Sequence, residues 1–203
     1  MGQDLEQIIS ITANRVDSTD ANSNIRYSVG DHSYVFNYEV KQDVSTDDKK
    51  RALEQAFYLL QTAHEYNALP ASLIYEISVA DLPASQHTID IIPAQKSTRK
   101  DQEEYIEIIA QRKNKGDSYL NEGIYHIKDE IFYLFETESE EDQQGIREER
   151  AADDFYDVLQ QLEVFPQRII FRRPAHEIEK SVLEVYATGD DEWRAKEELA
   201  YGI

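Results

Sequence analysis

The sequence predicts an α+β fold in which antiparallel β-hairpins form a sheet packed with three to five helices. Apolar residues make up 40% of the 203 residues, enough for a folded core despite a net charge of −20. Short alternating segments around turn residues indicate hairpins, and longer segments with apolar residues at helical spacing indicate helices. Because these hairpins and helices do not alternate strictly as strand and helix, an α+β fold is favoured over a doubly wound parallel one.

The first third of the chain is predicted to contain a helix, a hairpin and a second helix. Residues 4–16 have apolar side chains at helical spacing, although the β-branched residues within 8–11 leave a strand open as the alternative. Residues 24–29 and 33–41 flank Gly30 with alternating side chains, which predicts a hairpin. Ser45 or Thr46 can cap the second helix, whose apolar stripe consists of Leu53, Ala56, Phe57, Leu60 and Ala63.

The middle of the chain is predicted to add two hairpins and a helix. Residues 73–79 and 88–92 resemble short strands around a proline-containing turn. Residues 123–128 and 131–137 predict a compact hairpin, and the nearly all-apolar second strand is expected to lie centrally in the sheet. Between these hairpins, residues 98–114 predict a helix with the apolar face Tyr105, Ile106, Ile109 and Ala110.

The C-terminal part is predicted to contain a helix over residues 147–163 and a strand over residues 168–172. A helix or strand over residues 175–187 and a short helix over residues 191–200 follow. No internal repeat of fixed period is visible in the sequence. We therefore expect a single α+β domain over residues 1–203, with a weak sub-boundary near Gly116.

The composition excludes several classes of protein. A chain without cysteine forms no disulfide, thiolate zinc site or iron–sulfur cluster and has no cysteine nucleophile. The first residues lack the pattern of a signal peptide, and no stretch approaches the ~18 apolar residues of a membrane span. The negative charge disfavours direct binding to nucleic acid or to an anionic membrane. We expect a cytoplasmic protein with no cofactor and no metal, and a basic partner.

The negative charge is concentrated in residues 117–163, which contain fifteen acidic and three basic residues. On the predicted helix, three of these acids stand four residues apart and form a stripe with steps of ~6 Å. The stripe is either a solvated face that keeps the protein soluble or an imitation of nucleic-acid phosphates. With the preceding loop, the candidate partner-binding residues are Glu138, Glu140, Glu141, Asp142, Glu149, Asp153 and Asp157.

The acidic loop does not fit a calcium-binding loop. Glu138, Glu140, Asp142 and Glu149 match acidic positions of that template, but Gln143 stands where its sharp turn needs glycine. No calcium site is therefore predicted.

Two other kinds of site remain as alternatives. Glu39 and Lys41 form an E-x-K triplet that resembles part of the site of PD-(D/E)xK metal-dependent nucleases. Asp31 cannot share a metal ion with Glu39, because eight residues of extended chain separate them by ~26 Å. The aromatic hairpin over residues 25–40, with Tyr34 and Tyr38, is the other candidate, as the interface of an immunity-type or regulatory protein.

Arg168, Arg172 and Arg173 form an arginine-rich segment in this acidic chain. Pairing with the chain's own carboxylates is the simplest interpretation, because it lowers the self-repulsion of the fold. A groove that binds an anion is the alternative.

The sequence thus predicts a non-enzymatic protein that presents an acidic surface to a basic site on another protein. Its concrete form is a nucleic-acid mimic that inhibits or regulates a DNA- or RNA-processing or defence enzyme by occupying its basic groove. A metal-dependent nuclease or hydrolase using Glu39 and Lys41, and an interaction protein using the aromatic hairpin, are the alternatives. The sequence leaves the partner and the oligomeric state open.

Overall fold

A computed structural model describes residues 7–16, 27–40, 43–84, 104–113, 123–128, 131–139 and 145–178. In these residues eight strands form one antiparallel sheet in the order β2-β3-β1-β4-β8-β5-β7-β6. The strands are β1 (Ile8–Val16), β2 (Tyr27–Val29), β3 (His32–Val40), β4 (Ser72–Ser78), β5 (Tyr105–Lys113), β6 (Ile124–Lys128), β7 (Ile131–Ser139) and β8 (Arg168–Pro174). The helices are α1 (Thr46–Glu65) and α2 (Gly145–Gln161), and single 3₁₀ turns follow β4 at Val79–Asp81 and β8 at Ala175–Glu177.

The predicted sheet packed with three to five helices is wrong, because the described residues form a sheet-rich fold with two helices. Residues 4–16 and 98–114, both predicted as helices, instead supply β1 and β5. β4 pairs with β1 on one side and with β8 on the other. It therefore offers no edge to the hairpin partner predicted at residues 88–92, which lie outside the described residues, as do residues 179–203.

Other predicted elements are confirmed. β2 and β3 form the hairpin around Gly30, and β6 and β7 form the second hairpin. Ser45 caps α1, where its hydroxyl accepts a hydrogen bond from the backbone N–H of Asp48. α2 and β8 occupy the predicted places, and β7 has neighbouring strands on both sides.

The chain contains an internal structural duplication. Unit 1 (β1–β4 with α1) and unit 2 (β5–β8 with α2) each run as strand, hairpin, helix, strand and 3₁₀ turn. Their strand orders are equivalent, and β4 and β8 join the units by antiparallel pairing, with Ile74 opposite Ile170. Four residues are identical between the first strands of the units, and all point to the same face: Ile9 and Ile106, Ile11 and Ile108, Ala13 and Ala110, Arg15 and Arg112. The sequence shows no repeat of fixed period, and the two units become visible only in the structure.

Both helices cover the same face of the sheet. α1 contacts β1, β2 and β3, α2 contacts β5, β6 and β7, and the two helices contact each other. Their inner faces and the alternate strand residues beneath them form one core that runs through both units. Residues at matching positions are buried, which aligns α1 with α2 and the residue after it. The pairs are Ala52 with Ala151, Leu53 with Ala152, Ala56 with Phe155, Leu59 with Val158, Leu60 with Leu159, and Ala63 with Leu162, which directly follows α2.

Neither helix of the described part of the chain has the length and apolar character needed to cross a membrane.

Candidate protein-binding site

The predicted acidic stripe is present on the outer face of α2. Glu149, Asp153 and Asp157 are exposed, while Ala152 and Phe155 of the same helix are buried against the sheet. Partial burial raises the pKa of the Asp153 carboxyl above its ordinary value, and the negative charges of Glu149 and Asp157 raise that pKa further. Residues four apart on a helix are neighbours, so the three carboxylates of the stripe repel one another.

Asp154, which is next to Asp153 in sequence, points away from the stripe. Its Oδ2 lies 2.7 Å from Nη1 of Arg173, and its Oδ1 lies 3.1 Å from Nε of Arg150. The Arg173 side chain is 3% exposed and also donates hydrogen bonds to the carbonyls of Asn67 and Glu177. The Asp154 carboxylate thus forms ion pairs with two arginines, Arg173 and Arg150.

Glu138 does not join the stripe. Tyr133 and Phe135 of β7 are buried under α2, and Thr137 lines a cavity beside that helix. Because strand residues alternate between faces, Glu138 lies on the sheet face opposite the helices. The predicted surface is therefore divided between two faces of the molecule. Glu140, Glu141 and Asp142 lie outside the described residues.

The three arginines of β8 pair internally, as predicted. Arg168 lies 3.9 Å from Glu76, Arg172 lies 2.6 Å from Glu107, and Arg173 lies 2.7 Å from Asp154. Arg172 also stands over the ring of Tyr105, 5.7 Å from its centroid. Each guanidinium therefore has a carboxylate partner within the sheet or on α2.

The two alternative sites receive less support from the geometry. Glu39 is exposed near the end of β3 opposite Ser10, and Lys41 lies outside the described residues. In the part of the chain that the structure describes, no group of three or more His, Asp or Glu side chains is arranged to hold a metal ion. In the aromatic hairpin, Tyr34 is buried, and Tyr38 is 38% exposed. Most of the aromatic surface of this hairpin is therefore inside the core.

The structure also shows a cavity that the sequence did not indicate. It has a volume of about 260 Å³ and lies between β6, β7 and α2, lined by Gly123, Tyr125, Phe135, Thr137, Glu148, Glu149 and Ala152. The rings of Tyr125 and Phe135 stack with their centroids 4.2 Å apart. Burial raises the pKa of the Tyr125 hydroxyl, and the charges of Asp153 and Glu149 raise it further. The cavity therefore combines an aromatic wall with the carboxylates of Glu148 and Glu149.

Unit 1 shows that the fold does not require the acidic stripe. The positions of Glu149, Asp153 and Asp157 correspond on α1 to Lys50, Glu54 and Tyr58. Glu54 is only 5% exposed, and Tyr58 is 44% exposed. α1 contains four acidic and three basic residues, whereas α2 contains five acidic and two basic ones. The equivalent helix α1 is thus built without a row of exposed carboxylates.

Comparisons with protein-family models, with curated proteins and with solved structures give no match to this chain.

Proposed function

We propose that this chain is a non-enzymatic cytoplasmic protein that binds a basic surface of another protein through the outer face of α2. The exposed carboxylates of Glu149, Asp153 and Asp157 form the centre of this surface. A basic partner would be drawn to them by long-range attraction, so that association is fast and weakens as salt is added.

One observation carries the proposal: α2 has this row of exposed carboxylates and its structural duplicate α1 does not. Like charges four residues apart destabilise a helix by ~0.2–0.5 kcal/mol per pair. A solvated face needs no such row, because mixed charges keep a surface soluble as well. A repulsive row that is confined to one of two equivalent helices is better explained by a partner that neutralises it.

The partner is expected to be a nucleic-acid-binding protein, and the chain a mimic of its nucleic acid. The steps of ~6 Å along the stripe are similar to the separation of successive phosphates in a strand. In this form of the proposal, the chain inhibits or regulates a DNA- or RNA-processing or defence enzyme by occupying its phosphate-binding groove.

The test compares two variants that each remove three negative charges. The stripe variant is Glu149→Gln, Asp153→Asn and Asp157→Asn. The control variant is Glu39→Gln, Asp43→Asn and Glu65→Gln, which changes three exposed acids of unit 1. Each protein is immobilised and used to capture a partner from extract of the native host at low salt.

We expect a basic protein that binds the wild type and the control variant and is lost with the stripe variant. Its purified form should bind about tenfold more weakly to the stripe variant and should lose affinity steeply between low and physiological salt. Equal binding by the two variants, or an affinity that salt leaves unchanged, would contradict the proposal.

A competition experiment tests the mimicry itself. Duplex DNA and single-stranded RNA are added separately to the complex with the purified partner. One of them should displace the chain, because the two ligands would share one groove. If the partner binds the chain together with each of the two nucleic acids, the chain still binds a protein but does not mimic a nucleic acid.

A further inference from the structure

The cavity beside α2 has an equivalent place in unit 1, where larger side chains stand. Ile11 pairs with Tyr38 as Ile108 pairs with Thr137, so Tyr38 corresponds to Thr137. The alignment of the helices likewise makes Leu53 the counterpart of Ala152. Unit 2 thus has two smaller side chains where unit 1 has a tyrosine and a leucine, and both smaller residues line the cavity.

The charge at this place is reversed between the two units. The counterparts of Glu148 and Glu149 are Lys49 and Lys50. The ammonium group of Lys49 lies over the Tyr38 ring, 5.2 Å from its centroid. Unit 1 therefore supplies its own cation to an aromatic ring at this site, whereas the described residues that line the cavity of unit 2 include two aromatic rings and two carboxylates but no lysine or arginine.

We propose that the cavity lined by Tyr125, Phe135, Thr137, Glu149 and Ala152 accepts one lysine or arginine side chain of the basic partner. This inference rests on the proposed function and names the group that the partner inserts. The aliphatic stem of such a side chain packs against Ala152 and the aromatic rings, and its charged end faces Glu149 at the rim. A volume of about 260 Å³ is suited to a single side chain, since pockets for drug-sized ligands run from ~300 to ~1,000 Å³.

The first experiment tests the cavity without the partner. N-methylguanidinium chloride is added to the full chain at constant ionic strength, and N-methylurea serves as an uncharged probe of similar shape. We expect the ring resonances of Tyr125 to shift and saturate with N-methylguanidinium, and to shift at least about fivefold less with N-methylurea. Equal effects of the two probes, or no saturable shift, would overturn the inference.

A variant that restores the residues of unit 1 provides the second test. Thr137→Tyr together with Ala152→Leu fills the cavity and leaves every charge in place. We expect it to lose the saturable shift of Tyr125 and to bind the purified partner about tenfold more weakly. Ala152→Leu alone is the second variant if the double variant does not fold. The Asp43→Asn variant, which changes an exposed acid of unit 1 outside the proposed binding surface, should keep the shift.

The two proposals fail in different ways. If the filled variant binds the partner as well as the wild type while the stripe variant does not, the cavity inference is overturned and the proposed function stands. If the stripe variant also keeps the partner, both are overturned. Loss of affinity in the filled variant, with its free energy of unfolding and overall charge unchanged, supports the inference.

Discussion

Asp153 and Asp154 are neighbours in sequence, but their carboxylates have opposite effects on stability. Asp153 is exposed between Glu149 and Asp157, and its pKa is raised. Asp154 is directed to the buried guanidinium of Arg173, 2.7 Å away. The negative charge of Asp153 is therefore unfavourable in the folded protein, whereas that of Asp154 stabilises it.

We predict that Asp153→Asn stabilises the protein at neutral pH by ~0.2–0.5 kcal/mol, since it removes repulsion between like charges on a helix. The folded-state pKa of Asp153 lies above its ordinary value of 3.8, so folding favours the protonated carboxyl. The penalty is complete at neutral pH, shrinks as pH falls through the folded-state pKa, and is gone below the ordinary value of 3.8. Urea unfolding of the wild type and the variant over this pH range should show the gain shrinking. Asp154→Asn is the matched control and should destabilise the protein at neutral pH.

A second residue-scale prediction concerns the Arg173–Asp154 ion pair, which unit 1 lacks. The counterparts of Arg173 and Asp154 are Ile77 and Gln55. Because Arg173 is only 2% exposed, Asp154→Gln should cost about 3 kcal/mol by leaving a buried cation without its carboxylate.

The double variant Asp154→Gln and Arg173→Ile should recover at least about half of that loss, because an apolar residue replaces the buried charge. Chemical denaturation of the wild type, both single variants and the double variant gives the coupling between the two positions. Additive losses would show that the carboxylate does not compensate the arginine.

At the scale of elements, equivalent tyrosines hold the segment that leads from each helix into the following strand. Tyr34 of β3 donates a hydrogen bond to the carbonyl of Pro70, and Tyr133 of β7 donates one to the carbonyl of Pro166. Burial raises the pKa of Tyr34 to about 12, partly offset by the nearby Arg15, and raises that of Tyr133 as well. Both hydroxyls are thus neutral donors at every physiological pH.

We predict that Tyr34→Phe and Tyr133→Phe each lower the free energy of unfolding by ~1–3 kcal/mol, since each leaves a proline carbonyl without its buried donor. Tyr38→Phe is the control, because Tyr38 is 38% exposed and a phenylalanine keeps the ring beneath Lys49. This control should change the free energy by less than ~0.5 kcal/mol. Equal losses in all three variants would argue against the role of the two hydrogen bonds.

The helices were easier to predict from sequence than the strands. α1 and α2 each have one apolar face and polar residues elsewhere, so their period is clear within the segment itself. In β5, Ile106 and Ile108 point to the core, while Ile109 lies on the other face beside Ile170. Apolar residues on both faces hid the alternation. The pairing of β5 with β7 and β8 determines its structure, and a local pattern does not contain that information.

The stripe on α2 was predictable for the same reason, because helical spacing alone places its three residues on one face. The position of Glu138 was not, since the face of a strand residue depends on register in the whole sheet. The cavity requires a comparison of Thr137 with Tyr38 and of Ala152 with Leu53. Such a comparison becomes possible only after the two units are aligned.

At the scale of the whole molecule, the duplication was hidden because its period is not constant. α1 has 20 residues and α2 has 17. The number of residues between equivalent positions of the two units therefore differs before and after the helix. The fold nevertheless keeps the same buried pattern in both units, with the pairs Ile9 and Ile106, and Ile11 and Ile108, on the covered face. Keeping the buried pattern of a core preserves the backbone arrangement while most of the sequence changes.

Two reciprocal ion pairs join the units on either side of the β4–β8 junction. Arg15 of unit 1 lies 2.7 Å from Glu177 in the 3₁₀ turn of unit 2 and donates a hydrogen bond to the carbonyl of Leu69. Its counterpart Arg112 lies 3.2 Å from Asp81 in the 3₁₀ turn of unit 1 and donates to the carbonyl of Phe165. An arginine of each unit thus contacts the 3₁₀ turn at the end of the other unit.

These two contacts should differ in strength, which gives a prediction for the assembly of the units. The Arg15 side chain is 15% exposed and contacts both carboxylate oxygens of Glu177, whereas Arg112 is 28% exposed and contacts one oxygen of Asp81. Arg15→Met should therefore lower the free energy of unfolding by ~1.5–3 kcal/mol, and Arg112→Met by no more than ~1 kcal/mol, as for a solvent-screened pair. Urea unfolding measures both losses of stability.

Because one core spans the units, each variant should still unfold in a single transition. The loss for Arg112→Met should be smaller in high salt, because salt screens the ion pair. A separate transition for either unit, or equal losses in the two variants, would show that the β4–β8 pairing alone holds the molecule together.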